Sequence, residues 1–245
     1  LNTGIGSPLI KTILRDFVSH GAPEDIEYLA KPHVGSDKLP STIKSMREEI
    51  ERLRGKVLFS HKLEKINVKN GKVVSVIANG EEMKADALVL AIGHSARVTF
   101  AELLSEGVPM ERKAFAMGVR IEHKRRDIDI AQYGEKFAPL LPAADYRLAS
   151  HKGERGVFTF CMCPGGYVMP SASEENMVVT NGMSLYARDG ENSNSAVLCE
   201  VYPTDFLNGT LGGVELQRQT ERAAFRLGGG AYKAPGQTLG DFFSG

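Results

Sequence analysis

Neither sign of charge predominates in these 245 residues: 30 Lys and Arg face 30 Asp and Glu, a formal net charge of zero with histidine neutral. A chain so balanced has no general pull toward nucleic acid or an anionic bilayer, and neither is expected as a partner. Cysteine is scarce as well. The three residues Cys161, Cys163 and Cys199 cannot complete a disulfide framework. No apolar stretch approaches the roughly 18 residues that mark a membrane span, and the first residues carry no signal-like pattern. With so few cysteines, these absences point to a soluble chain in a reducing, cytoplasmic compartment. Two common catalytic loops are missing too: there is no Gly-x-Ser-x-Gly elbow and no Walker-type lysine loop. Gly4-Ile5-Gly6 is not a dinucleotide turn, because no strand precedes it and Leu9 stands where the third glycine belongs.

A chain of this length suggests one or two domains and can bury about 70–75% of the surface it exposes when unfolded. Its patterning is organised around Ala85–Ala96. The run Ala87-Leu88-Val89-Leu90-Ala91-Ile92 is long enough for one fully buried strand, Gly93 interrupts it, and the stretch from Ser95 to Ser105 is helical. A strand buried on both faces that breaks at a glycine into a helix is how α/β proteins build ligand sites at strand ends. The plainer alternative is an interior strand with a tight turn. Upstream, Ser7-Pro8 starts a helix with Leu9, Ile10, Ile13, Leu14, Phe17 and Val18 on one stripe, and Thr42–Arg54 is amphipathic with Ile43, Met46, Ile50 and Leu53 inward. Short strands at Lys56–Ser60, His61–Val68, Val73–Ala78 and Glu81–Lys84, with turns at Asn70-Gly71 and Asn79-Gly80, read as an antiparallel meander.

From Val108 strands dominate. Phe115–His123 alternates like a half-buried strand, and Val157–Cys163 is expected to pair as a hairpin with Tyr167–Pro170 across Pro164-Gly165-Gly166. Met177–Thr180 reads as a strand ending at Asn181-Gly182, Asp189–Ser195 as a polar loop, Ala196–Tyr202 as a strand and Gly213–Leu227 as the last helix. Cys161-Met162-Cys163 is the sharpest local feature, since residues two apart on a strand share a face. No metal is expected, because no second ligand pair stands at zinc spacing. A redox-active pair lacks the helix amino terminus that lowers thiol pKa in Cys-x-x-Cys proteins; small buried hydrophobes beside a site remain the plainer role. Of six histidines, His33 and His94 lie in turns beside glycine and polar side chains, where a general base would sit.

The segments LNTGIGSPLIKTILRDFVSHGAPEDI (1–26), KPHVGSDKL (31–39), ADALVLAIGHSA (85–96), AFAMGVRIEH (114–123), FTFCMCPGGYVM (158–169), VVTNGMS (178–184), NSNSA (192–196) and the stretch from Phe225 to Gln237 resemble, in this order, the middle of the bacterial FAD-dependent dehydrogenase family of uncharacterised function, related to BaiN-like and glutathione-reductase-type flavoproteins. Ala91-Ile92-Gly93 resembles the second flavin-contacting signature of such proteins. The resemblance implies an α/β plus β-rich insert fold, α+β overall: a partial FAD/NAD(P)-binding three-layer domain with an antiparallel meander, then a mostly antiparallel substrate domain. It assigns Leu1–Gly107 to the FAD-binding domain, 108–236 to the insert and 237–245 to the return.

The family's Gly-x-Gly-x-x-Gly turn and its closing Gly-rich segment have no counterpart here. The chain is therefore expected to be a central fragment that needs the missing segments of its parent, holds FAD poorly and is inactive alone. Implied cofactor contacts are Lys62, Leu63, Ile92, Gly93, His94 and Ser95. Implied borders of the substrate cavity are His33, Ser36, Asp37, Lys38, Cys161, Cys163, Gly165, Gly166, Asn181 and Met183. Candidates for the chemistry are His33, His94, Cys161 and Cys163. The parent is expected to exchange hydride between an unknown small molecule and flavin, with NAD(P)H as a possible reductant. The alternative is a stand-alone module that binds a ligand or a protein without redox work.

Overall fold

The computed structural model describes residues 7–151, 153–206 and 209–245; the Gly4-Ile5-Gly6 motif lies outside them. In chain order the elements are α1 (Pro8–Ser19), a 3-10 turn (Glu24–Glu27), α2 (Leu39–Arg52), β1 (Leu63–Lys69), β2 (Lys72–Ala78), β3 (Glu81–Lys84) and α3 (Arg97–Ser105). Then come β4 (Phe115–Lys124), α4 (Arg125–Tyr133), a 3-10 turn (Ala138–Leu140), β5 (Ala149–Ser150), β6 (Val157–Cys163), β7 (Gly166–Ser171), β8 (Val179–Ser184), β9 (Asn192–Val201), α5 (Gly212–Leu227) and α6 (Leu239–Ser244). The result is α+β, with sheets ordered β1-β2-β3, β4-β9-β6-β5 and β7-β8. Two compact units interleave along the chain.

The first unit takes the described part of Leu1–Val57 with Gly118–Met169 and Asn181–Cys199. Its sheet pairs β6 with both β5 and β9 in antiparallel register, and Gly118 of β4 lies so close to β9 that a Cβ would overlap the Val197 carbonyl. The segment expected to be a polar loop, 189–195, instead enters β9 from Asn192, and Ser193, Asn194 and Ser195 are fully buried. One side-chain oxygen of each is met by a residue distant in sequence. Ser193 Oγ accepts the Gly165 amide (3.0 Å), Asn194 Oδ1 accepts Arg120 Nη1 (2.5 Å), and Ser195 Oγ donates to the Phe160 carbonyl (3.3 Å). Buried polar groups tolerate burial when so paired, and a local composition pattern does not reveal the partners.

The hairpin expected of Val157–Cys163 with Tyr167–Pro170 does not form: β6 and β7 belong to different sheets, and β7 lies beside β8. Cys161 has φ +49° and Gly165 φ +52°, and the β6–β9 register shifts between Phe160 and Cys163. This irregularity turns the chain out of the sheet before Gly166, which settles against the Met183 carbonyl and Ser184. The strand expected to stop at Asn181-Gly182 runs through both to Ser184. Helix α2 forms as the periodicity predicts, yet Ile43, Ile50 and Leu53 are exposed, because a periodic stripe selects a face without supplying what covers it.

The second unit comprises Leu58–Met117, Pro170–Thr180 and Glu200–Gly245. Asn70-Gly71 and Asn79-Gly80 all have positive φ, as two-residue turns joining antiparallel strands require, and they set β1, β2 and β3 into a meander. No strand forms over Lys56–Ser60. That stretch ends at Ser60, at φ +57°, whose carbonyl accepts the Asn79 side-chain amide. The largest correction concerns Ala87–Ile92, which is neither a strand nor buried: it has no ladder partner among the described residues, and Val89 is 87% exposed. Pairing with the meander ends at Ala85, whose amide donates to the Val74 carbonyl (3.2 Å). An apolar run becomes a strand only where another backbone meets its amides and carbonyls. Helix α5 forms where expected, and α6 follows it, capped by Thr238, whose Oγ1 accepts the Asp241 amide (3.2 Å).

Candidate functional site

In the second unit, the turn from the apolar run into α3 exposes main chain. Gly93 has φ +66°, and nothing lies within 4 Å of the position a Cβ would take. His94 and Ser95 are exposed beside it. His94 Nδ1 and Ser95 Oγ are 3.0 Å apart, and Ser95 Oγ meets Ser173 Oγ at 3.1 Å. Arg97, at the start of α3, is anchored below this turn. It donates to both Glu221 oxygens (2.6 and 3.0 Å), to Glu174 (3.1 Å) and to Gln217 (3.3 Å). Arg218 grips Glu174 with two further bonds of 2.8 Å, and this bidentate partner, with Arg97, holds the Glu174 carboxyl down at about 2. Lys62, just before β1, pairs with Glu102 of α3 (2.9 Å). Lys62 and Leu63 thus stand at the start of the strand that packs against α3, the helix that follows the Gly93 turn. An open cleft of about 560 Å³ is lined by Glu174, Glu175, Asn176, Met177, Arg222, Phe225 and Arg226.

In the first unit the other candidate residues come together around β8. The 33–38 loop is tied to the chain that leaves this strand. Ser36 Oγ donates to the Ser184 carbonyl (3.1 Å), Asp37 Oδ1 accepts the Tyr186 amide (2.8 Å), and His33 Nε2 lies 3.0 Å from the Leu185 carbonyl. Lys38 Nζ sits 3.5 Å from the Tyr186 ring centroid, a cation–π arrangement. Burial, against the Leu185 hydrogen bond and with help from the nearby Arg188 charge, holds the His33 imidazole below its ordinary value. Gly35, at φ +88°, approaches the Tyr186 backbone so closely that a side chain would collide with it.

On the other side of β8, Gly166 packs on Met183 and Ser184, and Gly165 precedes it. Met183 is exposed, and Asn181 Oδ1 accepts the Gly182 amide (2.8 Å). Cys161 is exposed and Cys163 buried, and Asn194 stands opposite Cys163 in the β6–β9 ladder. Arg120, Asn194 and Arg97 were not singled out from the sequence. Their partners lie 41 or more positions away, and Asn194 stands in a polar run whose composition reads as a loop.

Residues 114–245 match the family model described as "FAD-dependent protein, C-terminal domain-like". The chain belongs to this family. Residues 18–118 match the model "Flavin containing amine oxidoreductase". A protein of Clostridium beijerinckii described as uncharacterized is 51% identical over 246 residues, which covers 99% of this chain and 46% of that protein. The chain thus spans about half the length of the relative it matches. The group this family implies is FAD, and the residues at the Gly93 turn fit it: main chain with no side chain, open to close approach, with two exposed polar neighbours. At Lys62 the main-chain amide already donates to Asn79 Oδ1 (3.1 Å), so a nucleotide contact through that amide requires Asn79 to withdraw.

Proposed function

We propose that this chain is the central part of an FAD-dependent oxidoreductase whose whole protein exchanges hydride between a small organic molecule and flavin, with NAD(P)H as the reductant class. The observation that carries the reading is Gly93, a left-handed residue facing open space between an apolar run and a helix, in a chain whose two halves both resemble flavoprotein families. FAD, when bound, supplies an isoalloxazine that accepts or returns a hydride. Ile92, Gly93, His94 and Ser95 hold it through main-chain approach and short polar side chains, and Lys62 and Leu63 meet its adenine end. The ion-paired Arg97 fixes the start of α3 and thereby the turn. Leu1–Gly107 belongs to the flavin domain and 108–236 to the substrate side, and the cavity is bordered by His33, Ser36, Asp37 and Lys38 from the former and by Gly165, Gly166, Asn181 and Met183 from the latter. His33, neutral at pH 7, can accept a proton there. This stretch acts only with the rest of its parent chain, in the cytoplasm.

The test compares two glycines in the full-length protein. Gly93 and Gly107 both have positive φ and open space where a Cβ would go, so alanine introduces comparable backbone strain at each, about 1–2 kcal/mol. Gly107→Ala is expected to purify yellow with full flavin content, and Gly93→Ala to lose flavin. Equal flavin content in the two variants, or a colourless parent that ignores added FAD, would overturn the reading.

A further inference from the structure

The first unit carries a nucleophilic cluster for which hydride transfer has no need. Residues two apart on a regular strand have Cα atoms roughly 6.6 Å apart, at the upper edge of the range of about 4.4–6.8 Å that a disulfide bridges. The end of β6 is not regular. Cys161 takes φ +49°, the ladder to β9 shifts between Phe160 and Cys163, and the Cys163 thiol is folded back to within 3.5 Å of the Cys161 carbonyl oxygen. Arg120 of β4 reaches the same place, donating to the Cys161 carbonyl (3.2 Å) and to Asn194 Oδ1 (2.5 Å). Gly182 of β8 supplies the room: a Cβ there would overlap Arg120 and Asn194 and come 2.7 Å from Cys163 Sγ.

The cluster also holds more donors than acceptors. Among the described residues, Arg120 Nε and the Nδ2 of fully buried Asn194 have no hydrogen-bond partner. Buried donors left over in this way are costly and suit a site that has yet to receive negative charge.

From this juxtaposition we propose that Cys161 and Cys163 form a thiol–disulfide exchange centre acting on a small-molecule disulfide, exposed Cys161 attacking and buried Cys163 resolving. The Cys161 thiolate attacks one sulfur of the substrate, forming a mixed disulfide and expelling the first thiolate. Cys163 gives its proton to that thiolate, attacks Cys161 Sγ and expels the second. Two electrons pass from the cysteine pair to the substrate disulfide, and a thiol reductant reopens the Cys161–Cys163 bond. The electrostatics favour this order. The neighbouring Cys163 thiol, which can donate to the Cys161 sulfur, brings the Cys161 thiol down to about 6 with help from the Arg120 guanidinium and against burial. The same interaction between the two thiols, with burial, pushes Cys163 up. An electropositive, accessible setting of this kind marks reactive cysteines, and an arginine supplies it here where no helix amino terminus does. The proposal does not rest on the flavin reading.

The experiment uses the full-length protein, reduced, freed of reductant and treated with oxidised glutathione. It is then quenched in acid, alkylated, and read by mass spectrometry of the tryptic peptide Gly156–Arg188. Wild type is expected to give the Cys161–Cys163 disulfide. Cys163→Ser should arrest as a glutathione adduct on Cys161, and Cys161→Ser should form no adduct at Cys163. In the untreated protein, iodoacetamide labelling of Cys161 should titrate near pH 6 and exceed that of Cys199 at least tenfold at pH 7, and Arg120→Met should move the titration upward. An adduct that forms first on Cys163, no internal disulfide, or Cys161 labelling that titrates near the ordinary value of about 8.5 would overturn it. If Cys163→Ser does not fold, Cys163→Ala gives the same reading.

Discussion

Arg97→Met removes a cation that meets both oxygens of Glu221. The Arg97 side chain is 1% exposed and that of Glu221 11%, so the substitution strands a largely buried carboxylate. Glu174 is not stranded, because Arg218 keeps its two 2.8 Å bonds to it. Breaking a buried pair from one side costs about 3–5 kcal/mol, whereas replacing both partners by apolar residues is often close to neutral. With a urea slope of about 2 kcal/mol/M, the midpoint should fall by about 1.5–2.5 M. The assay is urea unfolding read by pulsed hydrogen exchange on peptides from α3 and α5, which reports this unit alone. The double variant Arg97→Met/Glu221→Leu should recover at least about 2 kcal/mol of the loss, a coupling within the range of contacting residues. A midpoint that moves by less than about 0.5 M, or single effects that simply add, would refute the reasoning.

The carboxyl of Glu174 is held near 2 against an ordinary 4.5, so its folded form binds protons less readily than the unfolded chain. Its contribution is complete above about pH 4.5 and is lost as pH falls toward 2; urea midpoints of the α5 peptides measured across that window should decline, and those of Glu174→Gln should not. His33 is lowered as well, here by burial of the charged form, so protonation favours the unfolded chain and stability declines as pH drops below about 6.5. A proton-resolved NMR titration should find its midpoint below the ordinary value of about 6.5. Gly118→Ala should drive a methyl into the Val197 carbonyl and cost about 1–3 kcal/mol or more, read as faster amide exchange along β4 and β9. Asn79→Ala removes the acceptor of the Lys62 amide and should lower stability by about 1 kcal/mol while freeing that amide for a nucleotide; an unchanged FAD affinity would argue against adenine contact there.

Much of the local framework was legible in the residues themselves, because its causes are local. Asn70-Gly71 and Asn79-Gly80 demand positive φ and so dictate the meander turns. Ser7-Pro8 and the apolar stripe after it place α1, and the alternation of Phe115–His123 places β4. The grouping of 31–39, 161–166 and 181–184 as borders of one region came from a family likeness, and the structure does bring these stretches together on β8. What failed depended on partners far along the chain. Ala87–Ile92 has the composition of a buried strand but finds no backbone to pair with among the described residues. Ser193, Asn194 and Ser195 have the composition of a loop but are buried by bonds to Gly165, Arg120 and Phe160. Periodicity and turn chemistry act over a few residues, so sequence alone determined which segments bend, wind or extend. Which polar groups meet, and hence that Arg120 lies against two cysteines and Arg97 beneath the Gly93 turn, was decided only by the three-dimensional fold, since hydrogen bonds and charges act through space rather than along the chain.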